Sequence, residues 1–355
     1  MGKETIMNKT GIVRDEKFME HRLGAYHPES HKRLEALYDM LEENDMSGNF
    51  VDTPRTWATK DDLALIHSRD YIQLIASTQG KEPQFLDADT STSAGSYEAA
   101  CLAAGGLCKA VSMVMEGDLD NGFALVRPPG HHAEWNRAMG FCLFNNVAIA
   151  ANFARKNYGV ERVLIVDWDL HHGNGTQHSF EEDPSVLYFS THQYPYYPGT
   201  GAFEEIGRGE GRGYTINVPL STGHGNGEYA ALLEQVLMPV ASDYHPELIL
   251  VSAGFDTYEY DPLGGMEVTP EGFAALTRAL MRMAEADCGG RLVMTLEGGY
   301  HLGGLRESVK AVLKELSGSS NTDFEDMARK ADQSKMSYLL SRIEKVHGNM
   351  WKGLL

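Results

Sequence analysis

Basic residues are scarce in this 355-residue chain. Its 31 lysines and arginines stand against 50 aspartates and glutamates, which gives a formal net charge of −19. Nucleic-acid backbones bind concentrated Lys and Arg, so the composition argues against DNA or RNA as a partner. The acidic excess is compatible with cationic peptides or polyamines, although many acidic proteins have no such ligand.

Cysteines are also few, and their spacing excludes common cysteine motifs. Cys101, Cys108, Cys142 and Cys288 include no C-x-x-C pair, so we expect reduced thiols in a cytoplasmic protein. Cys142 has no evident base beside it, which favours a packing thiol over a nucleophile.

Long apolar runs and targeting segments are not evident in the sequence. We expect no stretch long enough to cross a bilayer, and residues 1–5 are too polar to begin a signal peptide. With 42% hydrophobic residues and no internal repeat, the chain can bury a large core in one domain. We predict a domain over 1–317 and a helical tail over 318–355. The tail would pack on that domain or on a neighbouring subunit, which leaves a homo-oligomer open.

Four segments share one pattern, in which an aliphatic run is followed by small residues and then by polar groups. They cover residues 123–132, 163–175, 248–256 and 292–300. Continuous aliphatic runs are typical of strands buried on both faces of a parallel sheet. Ligands bind beyond the carboxyl ends of such strands, so the polar groups should converge on one crevice. The pattern predicts a three-layer α/β/α fold with a mainly parallel sheet.

The second segment carries candidate metal ligands. Alternate residues of an extended chain share a face, so Asp167, Asp169 and His171 should point the same way. Zinc accepts both Asp oxygen and His nitrogen, and a catalytic zinc needs only three protein ligands. For an isolated D-x-H motif a surface loop would be the better interpretation, but here three further polar clusters accompany it.

The polar segments resemble those of a known family. RPPGHHAEWNRAMGFCLFNN, VDWDLHHGNGTQ, SAGFD and LEGGY are similar to the signature blocks of the histone deacetylase superfamily. The likeness is strongest to its class II and bacterial class II-like members, with the acetylpolyamine amidohydrolases as relatives. It extends from Thr10 to about Leu316 and implies the arginase/deacetylase fold.

The resemblance implies a zinc site and its catalytic partners. Asp169, His171 and Asp256 match the zinc ligands of the family. In the family's tandem histidines, the counterpart of His132 is the main general base and acid, and that of His131 is chiefly electrostatic.

Three further residues complete the implied catalytic set. Asp167 matches the partner that orients His131, and Asn174 matches the partner of His132. An amide cannot raise imidazole basicity as a carboxylate does, so the two histidines should differ in pKa. Tyr300 matches the donor to the oxyanion of the tetrahedral intermediate. A packed core pair and a core tyrosine are the structural alternatives for the histidines and for Tyr300.

The resemblance also implies a substrate tunnel. Phe141, which follows Gly140, and Tyr197 match the paired aromatics that hold the stem of acetyl-lysine. Asp89 matches a rim aspartate that accepts hydrogen bonds from a peptide backbone. A loop or helix-start carboxylate is the alternative for Asp89.

Two positions bear on substrate choice and product release. Leu263 falls where polyamine deacetylases carry a glutamate gatekeeper, so selection for a second ammonium group is not expected. Arg33 matches an arginine near the internal acetate channel, with an exposed helix arginine as the alternative.

Binding of monovalent cations is expected from the resemblance alone, which implies one or two potassium ions. The matching residues are Asp167, Asp169, His171, Ser190 and Thr191 at an inner site, and Phe180 at an outer one.

The combined expectation is a zinc-dependent amidohydrolase that removes acetyl or a related short acyl group from the side-chain amine of lysine. Its partner would be an acetylated lysine peptide or protein, or an acetylated small amine, without nucleic acid or membrane. The alternatives are an acetylpolyamine or other small-molecule amide hydrolase and a silent acyl-lysine binding module. Intact catalytic residues weigh against the binding module.

Overall fold

A computed structural model describes residues 7–354 of the chain, and the signal-peptide expectation for residues 1–5 lies outside them. Its strands are β1 Thr10–Val13, β2 Val51–Asp52, β3 Gln84–Phe85, β4 Ser91–Thr92, β5 Asn121–Ala124, β6 Val163–Asp167, β7 Val186–Gln193, β8 Thr215–Leu220, β9 Leu248–Ala253 and β10 Leu292–Leu296. Its α-helices are α1 Lys32–Leu41, α2 Lys60–Leu63, α3 Arg69–Ala76, α4 Ser96–Met115, α5 Asn146–Tyr158, α6 Asn174–Phe180, α7 Asn226–Leu232, α8 Met238–Tyr244, α9 Pro270–Asp287, α10 Leu302–Leu316, α11 Phe324–Ala328 and α12 Gln333–His347.

The main structural element within residues 7–354 is one large parallel sheet. Eight strands join in the order β2-β1-β5-β10-β9-β6-β7-β8, and every pairing is parallel. Every residue of β5, β6, β9 and β10 is buried, as expected for strands covered on both faces. Helices flank the sheet, with α4 against β5 and α9 against β9 and β10. The predicted α/β/α fold is confirmed.

The strand order decides where the polar segments meet. β5, β10, β9 and β6 are consecutive neighbours at the centre of the sheet. These are the four strands whose carboxyl ends carry the polar clusters found in the sequence. Since parallel strands all end at one edge, the four clusters lie side by side.

The expectation that no apolar stretch is long enough to cross a bilayer is wrong. Helix α4 is long and apolar enough to cross a membrane, by length and composition. The protein buries 83% of its apolar window, where the helix contacts β1, β5 and α5. The apolar composition of α4 is therefore accounted for by packing in the core.

A buried ion pair fixes the segment that leaves β5. The Arg127 guanidinium, which has no solvent exposure, binds the carboxylate of Glu29 and donates to the carbonyls of Phe18 and His21 at 3.1 and 2.9 Å. Burial alone would raise the pKa of Glu29, but the charge and hydrogen bonds of Arg127, with the charges of His21 and Arg33, together outweigh burial and hold that pKa at about 2. Removing one partner of such a pair leaves an uncompensated buried charge, so the pair holds this loop in place.

The tail predicted as helical over 318–355 contains two helices, α11 and α12. α11 contacts α7 and α9, and α12 contacts α7 and β8. The break falls at residues 329–332. Beyond α12, Trp351 is 7% exposed, packs edge-on against Tyr214 and Tyr244, and donates to the carbonyl of Gly213 at 3.1 Å. The division into a domain and a tail at residue 317 stays a prediction.

We expect Trp351→Ala to lower the free energy of unfolding by about 3 kcal/mol, because it removes a large buried aromatic side chain. Tyr338→Ala, at an exposed position of α12, should change it by less than about 0.5 kcal/mol. Chemical denaturation followed by circular dichroism measures both. Equal stability of the Trp351 variant and the unmodified protein would contradict a tail that contributes to the stability of the domain.

Candidate active site

A narrow cavity of about 80 Å³ opens at the carboxyl ends of the central strands. Its small volume suits an unbranched chain better than a bulky group. Nine residues predicted from the sequence line it: Asp89, His131, His132, Gly140, Phe141, His171, Tyr197, Leu263 and Tyr300.

Three side chains at this cavity form a candidate metal centre. The ligand atoms of Asp169, His171 and Asp256 all lie within 4.8 Å of one another. His171 Nδ1 is 3.2 Å from Asp169 Oδ1 and 3.0 Å from Asp256 Oδ2. The other carboxylate oxygens accept backbone N–H groups, Asp169 Oδ2 from Gly298 at 2.8 Å and Asp256 Oδ1 from Leu170 at 2.9 Å.

These three residues fit a divalent cation. Two buried carboxylate oxygens face one imidazole nitrogen, which has at most one proton to give them. Burial, with the adjacent Asp169 charge, raises the pKa of Asp256 to about 7, and a cation would relieve that cost. Two carboxylates and one imidazole match the nitrogen and oxygen ligands of catalytic zinc and leave a position open.

His131 lies beside the centre with a carboxylate behind it. Its Nδ1 is 3.0 Å from Asp167 Oδ2, and that oxygen also accepts the Tyr188 hydroxyl at 3.0 Å. Burial opposes the imidazolium, but the charges of Asp167 and Asp169 outweigh it and raise the pKa of His131 to about 10. The direction of this shift favours the protonated ring, and the electrostatic role of His131 stays a prediction.

His132 has a different environment. Its ring centroid is 4.1 Å from that of His131, and its Nδ1 lies 2.8 Å from Asn174 Oδ1. Burial, together with the nearby rings of His131 and His171, lowers the pKa of His132 well below its usual value. The two histidines thus differ in pKa as expected, and the neutral ring of His132 can accept a proton.

Tyr300 is held through its backbone and its ring. Its N–H donates to Asp261 Oδ2 at 2.6 Å, and its ring lies 6.1 Å from that of Phe141. Burial raises the pKa of the Tyr300 hydroxyl well above its usual value. The hydroxyl keeps its proton near neutral pH and can donate it in a hydrogen bond.

Arg33 lies behind the tyrosine rather than in the cavity lining. The guanidinium is fully buried, its Cζ is 5.1 Å from the Tyr300 ring centroid, and it donates to the carbonyls of Gly299 and Glu297 at 2.7 and 2.6 Å. These contacts rule out the exposed helix arginine. They fix the Gly-Gly-Tyr loop, and a role in product release stays a prediction.

One wall of the cavity depends on an unusual backbone. Gly140 and Phe141 both have positive φ, 56° and 67°, a conformation that is uncommon for a bulky residue and is often found at functional sites. A side chain at Gly140 would overlap the ring of His132. The Gly140 N–H donates to Asp89 Oδ1 at 3.2 Å, so the candidate rim aspartate is tied to this wall. The adjacent Cys142 is buried, and burial raises the pKa of its thiol well above normal, which agrees with a packing role.

The opposite loop brings two tyrosines to the centre. The Tyr197 ring lies 5.2 Å from that of His132, and the Tyr196 ring stacks on His171 at 5.7 Å. The Tyr196 hydroxyl donates to the Leu263 carbonyl at 2.9 Å. Phe141 and Tyr197 therefore line the same cavity, as predicted for a tunnel.

The residues predicted to bind potassium include two of the candidate metal ligands, Asp169 and His171, and two residues of the neighbouring strand β7, Ser190 and Thr191. Asp167 and Ser190 are paired in the parallel register of β6 and β7, with Thr191 next along the strand. Phe180 is buried at the end of α6. The potassium assignment stays a prediction.

Comparison with known proteins places the chain in a family. The pattern of the histone deacetylase domain matches residues 27–316. The chain belongs to the histone deacetylase family. The family's deacetylases are hydrolases of amide bonds, so this member is classed as an enzyme.

Similar family members come from archaea and from animals. A probable deacetylase of Archaeoglobus fulgidus is 36% identical over 97% of this chain and 99% of its own length. The polyamine deacetylase HDAC10 of Homo sapiens is 44% identical over 81% of this chain and 44% of its own length. The crystal structure of the HDA15 HD domain superposes with a TM-score of 0.90, at 37% identity, covering 98% of this chain and 96% of that one. The chain spans about half the length of several curated relatives in the family.

Two buried acids of this histone deacetylase family member were missed in the sequence. Glu297 accepts from the N–H groups of Gly130 and His131 at 2.6 and 3.2 Å and from the Ser252 hydroxyl at 3.0 Å. Asp261 accepts from Tyr300, His301 and Leu263. Glu297 belongs to the LEGGY segment, and its place between an aliphatic strand and two glycines could have identified it as a buried acid near the site. No comparable sequence pattern surrounds Asp261.

We expect Asp256→Ala to abolish stoichiometric zinc retention in this histone deacetylase family member, because two ligands remain where three are needed. Metal analysis after gel filtration checks this, with circular dichroism to verify folding. Asp261→Asn, which removes a nearby carboxylate outside the ligand group, should retain zinc. Full zinc occupancy in the Asp256 variant would contradict the ligand assignment.

Proposed function

We propose that this protein is a zinc-dependent deacetylase that removes acetyl or related short acyl groups from the side-chain amine of lysine. The supporting observation is the group formed by Asp169, His171 and Asp256, of which His171 lines a narrow cavity that His131, His132 and Tyr300 also line. A hydrolytic centre, two imidazoles and a hydroxyl donor at one cavity are the parts that amide hydrolysis requires.

Zinc held by the three ligands would polarise the acyl carbonyl and make water acidic enough to attack near neutral pH. His132 is the base that takes the proton from the attacking water, since burial keeps its ring neutral. It then returns the proton to the leaving amine, so one side chain serves both steps. Zinc binding and this division of roles are supported by the geometry of the site and by the family.

Two other groups stabilise charge in this mechanism. The Tyr300 hydroxyl donates a hydrogen bond to the developing oxyanion, and its raised pKa keeps the proton on the hydroxyl. His131, paired with Asp167, remains a cation and favours negative charge in the cavity. Asp167 thus acts through His131 and not on the substrate.

The aliphatic stem of an acylated lysine would pass between Phe141 and Tyr197, with Gly140 in the wall and Asp89 at the rim. An apolar slot accepts a neutral acylamide and disfavours a free ammonium through desolvation. Relatives named polyamine deacetylase support an acetylated polyamine as the second candidate substrate. Leu263, which lines the cavity and offers no carboxylate to a second ammonium, weighs against it.

Potassium, location and partners complete the proposal. We infer one or two potassium ions near Asp167, Asp169, His171, Ser190, Thr191 and Phe180, on the resemblance alone. A cytoplasmic location is supported by four buried unpaired cysteines. The partner is an acetylated peptide, protein or small amine, without nucleic acid or membrane, and the oligomeric state is open.

Turnover on a matched panel tests the function: an acetyl-lysine peptide, a trifluoroacetyl-lysine peptide, N-acetylputrescine and N8-acetylspermidine, each with and without a chelator. We expect chelator-sensitive cleavage that favours the peptides. A preference for the polyamines would keep the deacetylase assignment and overturn the lysine substrate. No turnover on any of them by the zinc-loaded protein would overturn both.

We expect Tyr300→Phe to lower kcat by roughly two to three orders of magnitude, because it removes one oxyanion donor. Tyr338→Phe, the same change at an exposed position of α12, should leave kcat unchanged. Steady-state kinetics on the best substrate of the panel measures both. A near-normal rate for the Tyr300 variant would remove this hydroxyl from the mechanism.

A further inference from the structure

Asn174 is placed between the general base and a carboxylate that the mechanism has not used. Its Oδ1 lies 2.8 Å from His132 Nδ1, and its Nδ2 lies 2.5 Å from Glu134 Oε1. The Glu134 side chain is only 15% exposed. The carboxylate and the base are therefore joined through one buried amide.

This chain of contacts fixes the proton on His132. An ionised carboxylate can only accept hydrogen bonds, so Glu134 selects the orientation of Asn174 in which the NH₂ group faces Glu134. The amide oxygen then faces His132, and it can only accept. His132 Nδ1 must carry the proton, which leaves Nε2 with the free lone pair that a base requires.

The loop and helix around Glu134 hold it in position. Asn174 and His178 are one turn apart on α6 and share a face. His178 Nδ1 lies 2.8 and 3.1 Å from the two Glu134 oxygens, and this hydrogen bond raises the pKa of His178. The Glu134 carbonyl accepts from His67 Nδ1 at 2.9 Å, and its N–H donates to Arg137 at 2.9 Å.

We propose that Glu134 is a positioning residue for His132, which acts through Asn174 by fixing the amide orientation and by polarising its oxygen. The proposal rests on the proposed function of His132 as the base. In an enclosed site, hydrogen bonds in a chain strengthen one another, so a carboxylate one residue removed still reaches the imidazole. Glu134 thereby supplies part of the charge that the amide of Asn174 lacks.

The test is a double-substitution cycle in the full-length zinc-loaded protein. Glu134→Gln keeps the shape and removes the charge, and should lower kcat about tenfold, as for other outer-shell partners, with KM changed less than about twofold. Asn174→Asp brings a second carboxylate against Glu134 and should also lower kcat. In that background Glu134→Gln offers an NH₂ group to Asp and should raise kcat about tenfold.

The effect of Glu134→Gln on kcat should therefore change sign between the two backgrounds. This change distinguishes a positioning role of Glu134 from a general effect on protein stability. Glu181→Gln removes a charge that lies close to His178 but pairs with Arg208, and it should leave kcat unchanged in both backgrounds. The same fold loss from Glu134→Gln in both backgrounds, or no loss in either, would overturn the proposal.

A second readout does not depend on turnover. In histidine-labelled protein, the Nδ1–H proton of His132 should resonate downfield and move upfield in Glu134→Gln, because its acceptor becomes less polarised. An unchanged resonance would overturn the proposal. If the unmodified protein hydrolysed no acetyl amide, the proposed function would fail, while this resonance would still decide whether Glu134 acts on His132.

Discussion

Buried negative charge is the constraint on which this end of the sheet depends. Four carboxylates that are at most 1% exposed to solvent lie at the ends of neighbouring strands: Asp167, Asp169, Asp256 and Glu297. Each would cost several kcal/mol to bury unpaired. Backbone N–H groups and imidazoles meet that cost, for example Gly130 at Glu297 and Gly298 at Asp169. Because the same contacts immobilise the loops, the positions of the histidines and of Tyr300 follow from the neutralisation of charge.

Much of this arrangement could be predicted from local patterns. A strand buried on both faces needs a continuous aliphatic run, which made Val163–Asp167 and Leu248–Ala253 recognisable. Polar groups after such runs had to meet at one edge of a parallel sheet. The neighbour relations of the strands could not be predicted in this way. The four central strands have similar composition, so nothing local indicates that β10 lies between β5 and β9.

Other features depend on contacts between distant parts of the chain. Glu297 accepts from Gly130, which is 167 positions away, and Asp261 accepts from Tyr300 at a distance of 39 positions. No spacing rule connects such pairs. The misjudged length of the apolar run in Ser96–Met115 has a related cause, since a helix enclosed by the core and a helix enclosed by lipid have the same composition. The candidate site residues, which follow the strand-end pattern, were therefore easier to predict than the residues that hold them.

The left-handed backbone at Gly140 and Phe141 has a consequence for inhibitors and for engineering. A Cβ added at Gly140 would overlap the His132 ring, so any side chain there would displace His132. Phe141 is held in a conformation that β-branched residues resist. This wall therefore cannot be widened or lined with new groups by substitution at Gly140. Compounds that discriminate this enzyme from others of similar chemistry would gain selectivity at the opposite wall, at Leu263, because Tyr196 and Tyr197 pack on His171 and His132.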